Sequence, residues 1–204
     1  GPYYDPDGDN ILNYTADQDV NYFVDSAGEV LSIPAGYPIY VYLRWSDWTY
    51  VNQDYDLYLL QWDAILKQWR VLESSTDIQN GGAGQKPREF VYAVTSGPST
   101  YYGFYIKREN GDRDVNIDVF APNYRLDEVL HARSLNKVAD APDVMAVAAV
   151  DVVTPHAHEY YSSEGPTNGP GGVATGGFTK PDIASYAHVS TVSYGASYFS
   201  GTSP

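Results

Sequence analysis

Short runs of β-branched and aromatic residues recur through residues 20–120 of this chain, and they limit its fold more than any other feature. Most of these runs alternate between apolar and polar positions, which is the pattern of strands with one buried face. Turn-forming residues separate them, such as Pro-Ala-Gly at 34–36 and Glu-Asn-Gly at 109–111. The pattern predicts antiparallel sheets. Six strands are predicted, over residues 20–24, 39–44, 55–60, 89–94, 101–106 and 115–120.

The aromatic content supports this interpretation. The chain has 20 tyrosines and 4 tryptophans among 204 residues, and these residue types favour strands. Only residues 64–72 have helical character, and they fit a strand and a turn equally well. We therefore expect a mainly β protein, in which residues 1–121 form an antiparallel β-sandwich of jelly-roll type. A hydrophobic content of 43%, without an apolar run of about 18 residues, indicates a soluble chain and no membrane partner.

The later part of the chain carries four segments that resemble, in order and spacing, the C-terminal half of a subtilisin-like serine protease domain. They are VMAVAAVD at 144–151, YSSEGPT at 161–167, KPDIASYAHVSTVS at 180–193 and FSGTSP at 199–204. The resemblance implies an incomplete piece of an α/β catalytic domain over residues 143–204, joined to the sandwich by a connection at 122–142. Two departures bear on the substrate side. Tyr160-Tyr161 stands where phenylalanine usually precedes Ser-Ser, and Ser185-Tyr186 replaces an Ala-Pro-Gly turn.

The same resemblance makes Ser203 the nucleophile of a secreted endopeptidase that cleaves polypeptides. A serine needs a histidine to take its proton and a carboxylate to orient that histidine. The family supplies these in Asp-Ser-Gly (or Asp-Thr-Gly) and His-Gly-Thr motifs and uses an asparagine for the oxyanion, and none of the three motifs occurs in this chain. We therefore expect a fragment that is inactive alone. The alternative for Ser203 is a disordered, serine-rich terminus.

Two near matches to the missing motifs have simpler explanations. Residues 25–28 (DSAG) lie between two alternating apolar runs and are typical of a hairpin turn. His156 and His158 lack a flanking glycine and follow a predicted strand, which favours loop histidines, and His131 and His188 have no motif around them.

The sandwich has a weaker resemblance of its own. Residues 43–48 (LRWSDW) and 54–59 (DYDLYL) look like parts of a β-sandwich that some subtilases carry as an insert. The layout would then be an inserted sandwich followed by the last part of the protease domain up to its nucleophile. The alternative function is a calcium-stabilised accessory module that binds protein or carbohydrate.

An acidic loop near the start of the chain is the best calcium motif. Asp5, Asp7 and Asp9 place carboxylates at every second position, and Asn13 and Asp17 offer further oxygen ligands. The loop departs from an EF-hand in having Asn10 in place of glycine and alanine in place of the bidentate glutamate. The alternative is an acidic surface turn.

Two further groups could serve binding. Trp45, Trp48 and Tyr50 could form a stacking platform for sugar or peptide, although an aromatic stripe at strand spacing is more often part of a core. Three aspartates at 47, 54 and 56 could form a second acidic cluster, but hydrogen bonding to turn backbone is the favoured role.

Charge and cysteine content limit the remaining partners. Asp and Glu number 26 against 12 Lys and Arg, which gives a net charge of -14 at pH 7 and argues against nucleic acid as a partner. The absence of cysteine makes calcium the expected stabilising cross-link for a secreted protein. The apolar segment 144–150 would expose an unpaired strand edge if left alone, so we expect residues 143–204 to pack on the sandwich, to self-associate with another copy of the chain or to be poorly ordered.

Overall fold

The computed structural model describes residues 1–130, 132, 134, 135, 139, 141–167, 177–193 and 195–199. Residues 196–199 are described by their backbone only. The chain divides into two compact units, Gly1–Val129 and Leu130–Pro204. Over these described ranges it forms thirteen strands and no helix, which confirms a mainly β protein built largely from antiparallel sheets. None of the described segments is a helix long and apolar enough to cross a membrane.

Nine strands build the first unit, and all six predicted strands are among them. Residues 64–67 form a turn, so the segment with helical character is a turn followed by a strand. The strands are β1 (Asn21–Val24), β2 (Ser32–Ile33), β3 (Pro38–Trp45), β4 (Asp54–Asp63), β5 (Gln68–Ser75), β6 (Arg88–Val94), β7 (Thr100–Asn110), β8 (Ile117–Phe120) and β9 (Arg125–Leu126).

These strands form two antiparallel sheets. The larger one has the order β5-β4-β7-β1-β9, with β2 also paired to β7, and the smaller one has the order β6-β3-β8. Buried residues of both sheets belong to one hydrophobic cluster that includes Val41, Leu57, Phe104 and Ile117. The first unit is therefore a two-sheet sandwich with a single core.

Strand β3 shows why the alternating sequence folds this way. Its odd-numbered residues from Ile39 to Trp45 are buried, whereas Tyr40 and Tyr42 lie on the outer face. Each fully buried large apolar side chain contributes about 1.5–3 kcal/mol. The outer tyrosines stack on neighbours of β6, with ring centroids 4.6 Å apart for Tyr42 and Phe90 and 4.9 Å apart for Tyr40 and Tyr92.

Residues 25–28 form the hairpin turn that their sequence predicts. The Asp25 carboxylate accepts hydrogen bonds from the backbone N–H groups of Ala27 and Glu29, and Gly28 has φ +85°, a conformation that costs glycine little. Val24 and Val30 pair across the turn. This aspartate therefore shapes a turn in the sandwich.

The second unit contains β10 (Val147–Asp151), β11 (Ile183–Ala187), β12 (Val189–Thr191) and β13 (Gly195–Phe199). Strands β10 and β11 are parallel, whereas β12 and β13 are antiparallel. The other side of β10 also has a partner, because the Glu159 N–H donates to the Ala149 carbonyl and the Asp151 N–H donates to the Ala157 carbonyl. Strand β10 therefore has a partner on each side within this unit, and self-association through the region remains a prediction. The described residues of this unit form strands and turns only, so an α/β domain remains a prediction.

Candidate functional site

Three aspartates converge in the loop that precedes β1. One carboxylate oxygen from each of Asp5, Asp7 and Asp9 lies within 4.8 Å of the other two. Asp5 organises this loop, since its Oδ1 accepts the Gly8 N–H at 2.8 Å and its Oδ2 accepts the Asn10 N–H at 3.1 Å. The alternating acidic sequence thus becomes a cluster in space because the backbone curls around the first aspartate.

Asn10 occupies the position where an EF-hand loop has glycine. Its φ is 68°, in the left-handed region where asparagine is tolerated better than most residues. The departure noted in the sequence therefore preserves the sharp turn that the loop needs. Asp9 follows the same turn, with its Oδ1 accepting the Ile11 N–H at 2.7 Å.

Asp19 lies beside the three aspartates, although the sequence pattern did not select it. Burial, together with the charges of Asp9, Asp7 and Asp5, raises the pKa of Asp19 above its ordinary value. The Asn13 Nδ2 donates to the Asp19 Oδ1 at 2.9 Å, which places the predicted Asn13 at the same cluster.

Asp17 has a different environment from its predicted companions. It is exposed, and the three converging aspartates include neither Asp17 nor Asp19, but Asp19 is the one that accepts the Asn13 amide. A turn at residues 15–18, closed by the pairing of Thr15 with Gln18, separates Asp17 from the loop.

The predicted aromatic platform divides into one core residue and two surface residues. Trp45 is only 1% exposed, and its indole N–H donates to the Gln53 carbonyl at 3.0 Å. Trp48 is 53% exposed and Tyr50 is 63% exposed. The Arg113 guanidinium lies 4.8 Å from the centroid of the Tyr50 ring. Because they are exposed, Trp48 and Tyr50 are the members of the predicted platform that can reach a ligand.

The aspartates at 47, 54 and 56 do not act as one group. Asp47 accepts the N–H groups of Asn52 and Gln53, which confirms its predicted role in turn hydrogen bonding. Asp54 accepts the Gln79 N–H, and Asp56 accepts the hydroxyl of Tyr58. Burial raises the pKa of both Asp54 and Asp56. These contacts give each carboxylate a separate structural role.

The other two described segments that resemble subtilases contact β10 or the residues just before it. The Ser162 hydroxyl accepts the Ala149 N–H at 2.9 Å. The Lys180 Nζ donates to the Val144 carbonyl at 2.6 Å, and the Asp182 carboxylate accepts the Ala146 N–H at 2.8 Å. The Lys180 ammonium also bonds to Asp182 and lowers the pKa of that carboxyl. Ser203 lies outside the described residues.

The four histidines have different surroundings. His131 lies outside the described residues. The His156 Nδ1 is 3.1 Å from the Asp151 carbonyl oxygen, and the His158 Nδ1 is 3.4 Å from the Glu164 carboxylate. His156 and His158 therefore contact nearby residues of their own loop region, as their sequence context predicts.

The remaining histidine, His188, belongs to a cluster that the sequence did not reveal. Its Nδ1 is 3.3 Å from the Glu159 carboxylate and 3.8 Å from the Asp151 carboxylate. The end of β10, the segment that pairs beside it and the residue after β11 each supply one member. A protonated His188 would neutralise one of the two carboxylates, and the same three groups lie close enough to share a cation.

No protein-family model matches this chain, and neither a curated protein nor a solved structure matches it. Its function is therefore inferred from the residue contacts of the two units and from the sequence motifs.

Proposed function

We propose that this chain is part of a secreted, subtilisin-like serine endopeptidase whose nucleophile is Ser203. The observation that carries the proposal is the parallel pairing of two motif segments. Residues 147–151 of the first motif pair in register with residues 183–187 of the third, over five residue pairs. Parallel pairs are typical of α/β domains, because parallel strands need a long crossover connection, usually a helix. Antiparallel neighbours can instead be joined by a simple hairpin.

The contacts of the motif residues give further support. Ser162, Lys180 and Asp182 are defining residues of the subtilase-like segments, and each one binds the backbone at or next to β10. Lys180 is a buried cation that bonds both a carbonyl and a carboxylate. A disordered tail that matched these motifs by chance would have no reason to form such contacts. Burying a charge is costly unless the charge is paired, and the charge of Lys180 is paired.

In this proposal, Ser203 attacks the peptide carbonyl, the C–N bond breaks with release of the protonated amine, and water then hydrolyses the acyl-enzyme. A histidine takes the hydroxyl proton, a carboxylate orients the histidine, and N–H donors stabilise the oxyanion. The 204-residue sequence has none of the motifs that supply the histidine, the carboxylate or the oxyanion asparagine. Without a base, the serine hydroxyl is a weak nucleophile.

A phosphonylating active-site probe tests both parts of the proposal. We expect the chain alone to incorporate no more probe than its Ser203→Ala variant, because no base activates the serine. A longer parent polypeptide that carries the histidine and aspartate should be labelled at Ser203. Labelling of Ser203 in the chain alone would contradict its inactivity, and a parent unlabelled at Ser203 would contradict the assignment of the nucleophile.

The exposed aromatic pair favours a second candidate function for the first unit, that of an accessory module binding protein or carbohydrate. The chain crosses repeatedly between the two sheets, an arrangement that supports the expected jelly-roll type. Trp48 and Tyr50 lie exposed between β3 and β4. Aromatic side chains of this kind contribute large contact areas to binding surfaces.

A glycan and collagen array, probed with the chain and with its Trp48→Ala variant, tests this second candidate. A ligand bound through the exposed pair should lose at least about tenfold in affinity in the variant, as is typical of an interface hot spot. Equal binding by the two proteins would exclude Trp48 from the binding surface. An array without any bound ligand, together with a calcium-dependent rise in melting temperature, would favour a stabilising role for this unit.

A further inference from the structure

We propose that Asp5, Asp7, Asp9, Asn13 and Asp19 together bind one calcium ion. This site differs from the one predicted by the sequence, because Asp19 replaces Asp17. It also goes beyond the proposed protease function, since it lies entirely within the first unit.

The spacing of the three loop aspartates suits calcium. Calcium binds oxygen ligands at about 2.3–2.6 Å, so two ligand oxygens on one ion lie at most about 4.6–5.2 Å apart. The oxygens of Asp5, Asp7 and Asp9 are all within 4.8 Å of one another. The three oxygens are therefore close enough for one ion to contact all of them after small side-chain movements.

Asn13 provides an independent observation. Its residue is only 4% exposed, and its Oδ1 is buried without a hydrogen-bond donor among the described residues. An unsatisfied buried carbonyl oxygen costs about 1–3 kcal/mol. Asn13 is fixed at the cluster from two sides, since its backbone N–H donates to the Tyr4 carbonyl and its Nδ2 donates to Asp19. A cation beside Asp19 would give this amide oxygen the partner that the protein does not supply.

The charges at the site also favour a cation. Three carboxylates converge here, a fourth, that of Asp19, accepts the Asn13 amide, and the ion pair described for them joins Arg108 to Asp5 at 3.6 Å. Arg108 also donates to the Asn10 side chain and covers the Tyr3 ring, so it lies on the Asp5 side of the loop. Oxygen is the only ligand element in this set, and five protein oxygens with added water meet the six to eight that calcium prefers.

The site would attach the N-terminal loop to the larger sheet. Ile11 pairs with Lys107, and the Leu12 N–H donates to the Ile106 carbonyl, both immediately after the acidic turn. Asp19 lies two residues before β1. A bound ion would therefore join two segments that flank residues 11–18, and it should stabilise the folded state over the unfolded state.

Calorimetric titration of the chelator-treated chain tests the site, with thermal melting as a second measurement. We expect calcium to bind and to raise the melting temperature, and magnesium to bind more weakly. Asp9→Asn and Asp19→Asn should each weaken calcium binding by at least about tenfold, because affinity follows ligand charge. Asp17→Asn is the matched control, since it removes the same charge from the same part of the chain and should change the affinity less than about threefold.

Two variants of Asn13 test the amide oxygen. Asn13→Leu should lose calcium binding, and Asn13→Asp should retain it, because aspartate keeps an oxygen at the same place. If Asn13→Leu fails to fold, retained binding by Asn13→Asp still supports the ligand role, and its loss contradicts it. Absence of binding at about 5 mM calcium, a concentration that fills even weak extracellular sites, would overturn the proposal. Equal effects of the Asp17 and Asp19 variants would overturn the ligand set.

Discussion

Replacing Trp45 with alanine is expected to lower the free energy of unfolding of the first unit by about 3–5 kcal/mol. The indole is 1% exposed, and its ring centroid lies 5.2 Å from that of the buried Tyr55. The substitution would leave a cavity between the two sheets and remove the donor to the Gln53 carbonyl. A domain of this size has a total stability of only about 5–15 kcal/mol, so the substitution should remove a large fraction of it.

Trp48→Ala is the matched control for this prediction. The same side chain is removed three residues away, from a position that is 53% exposed, and the expected change is within about 0.5 kcal/mol. Urea denaturation followed by far-ultraviolet circular dichroism is the appropriate measurement. Tryptophan fluorescence is unsuitable, because each variant removes a different fluorophore. Similar losses in the two variants would show that Trp45 does not occupy the core as described.

Asp47→Ala is expected to have the second large effect, a loss of about 3–5 kcal/mol, because two backbone N–H groups lose a charged acceptor. The side chain is 2% exposed and pairs with the Arg113 guanidinium at 2.7 Å. The same carboxylate accepts two backbone N–H groups, from Asn52 at 2.7 Å and from Gln53 at 2.9 Å. Its removal leaves these two donors without their acceptor and leaves Arg113 with the Asn52 side-chain oxygen, so the connection between β3 and β4 should lose its structure.

The partner variant Arg113→Ala should cost less than Asp47→Ala. Asp47 would still accept the two backbone N–H groups, whereas Arg113 is the more exposed partner, with 38% of its side chain accessible. Equilibrium unfolding of the two single variants and the double variant measures their coupling. An Arg113→Ala loss equal to or larger than that of Asp47→Ala would show that the ion pair, rather than the turn, carries the stability.

The sandwich could be predicted because strand burial follows a local rule. The alternation along β3 that buries Ile39, Val41 and Leu43 also buries Trp45. The core position of this tryptophan could therefore have been predicted from the alternating pattern. Trp48 lies beyond the end of the strand, where that rule stops. A single interpretation of Trp45, Trp48 and Tyr50 as a platform overlooked this difference.

The acidic residues show where local rules end. Asp5, Asp7 and Asp9 converge through contacts within one loop, and their spacing in the sequence predicted this. Asp17 and Asp19 are also two residues apart, so spacing alone does not distinguish them. The turn at 15–18 decides which of the two lies nearer the cluster. The group of Asp151, Glu159 and His188 could not be predicted from the sequence, because its members come from three separate segments that meet only in the folded chain.

The pairing of β1 with β7 has a consequence for how this chain acquires its structure. Asn21 lies opposite Phe104, and the amino group of Gly1 donates to the carbonyl of Ile117, 116 residues away. Such distant pairings make folding slow, roughly milliseconds to seconds for all-β domains. During synthesis at about 5–20 residues per second, the first strand waits several seconds for its partner to leave the ribosome. The apolar residues of β1 and β3 are thus exposed during that interval, and nascent-chain chaperones would meet them before the sandwich closes.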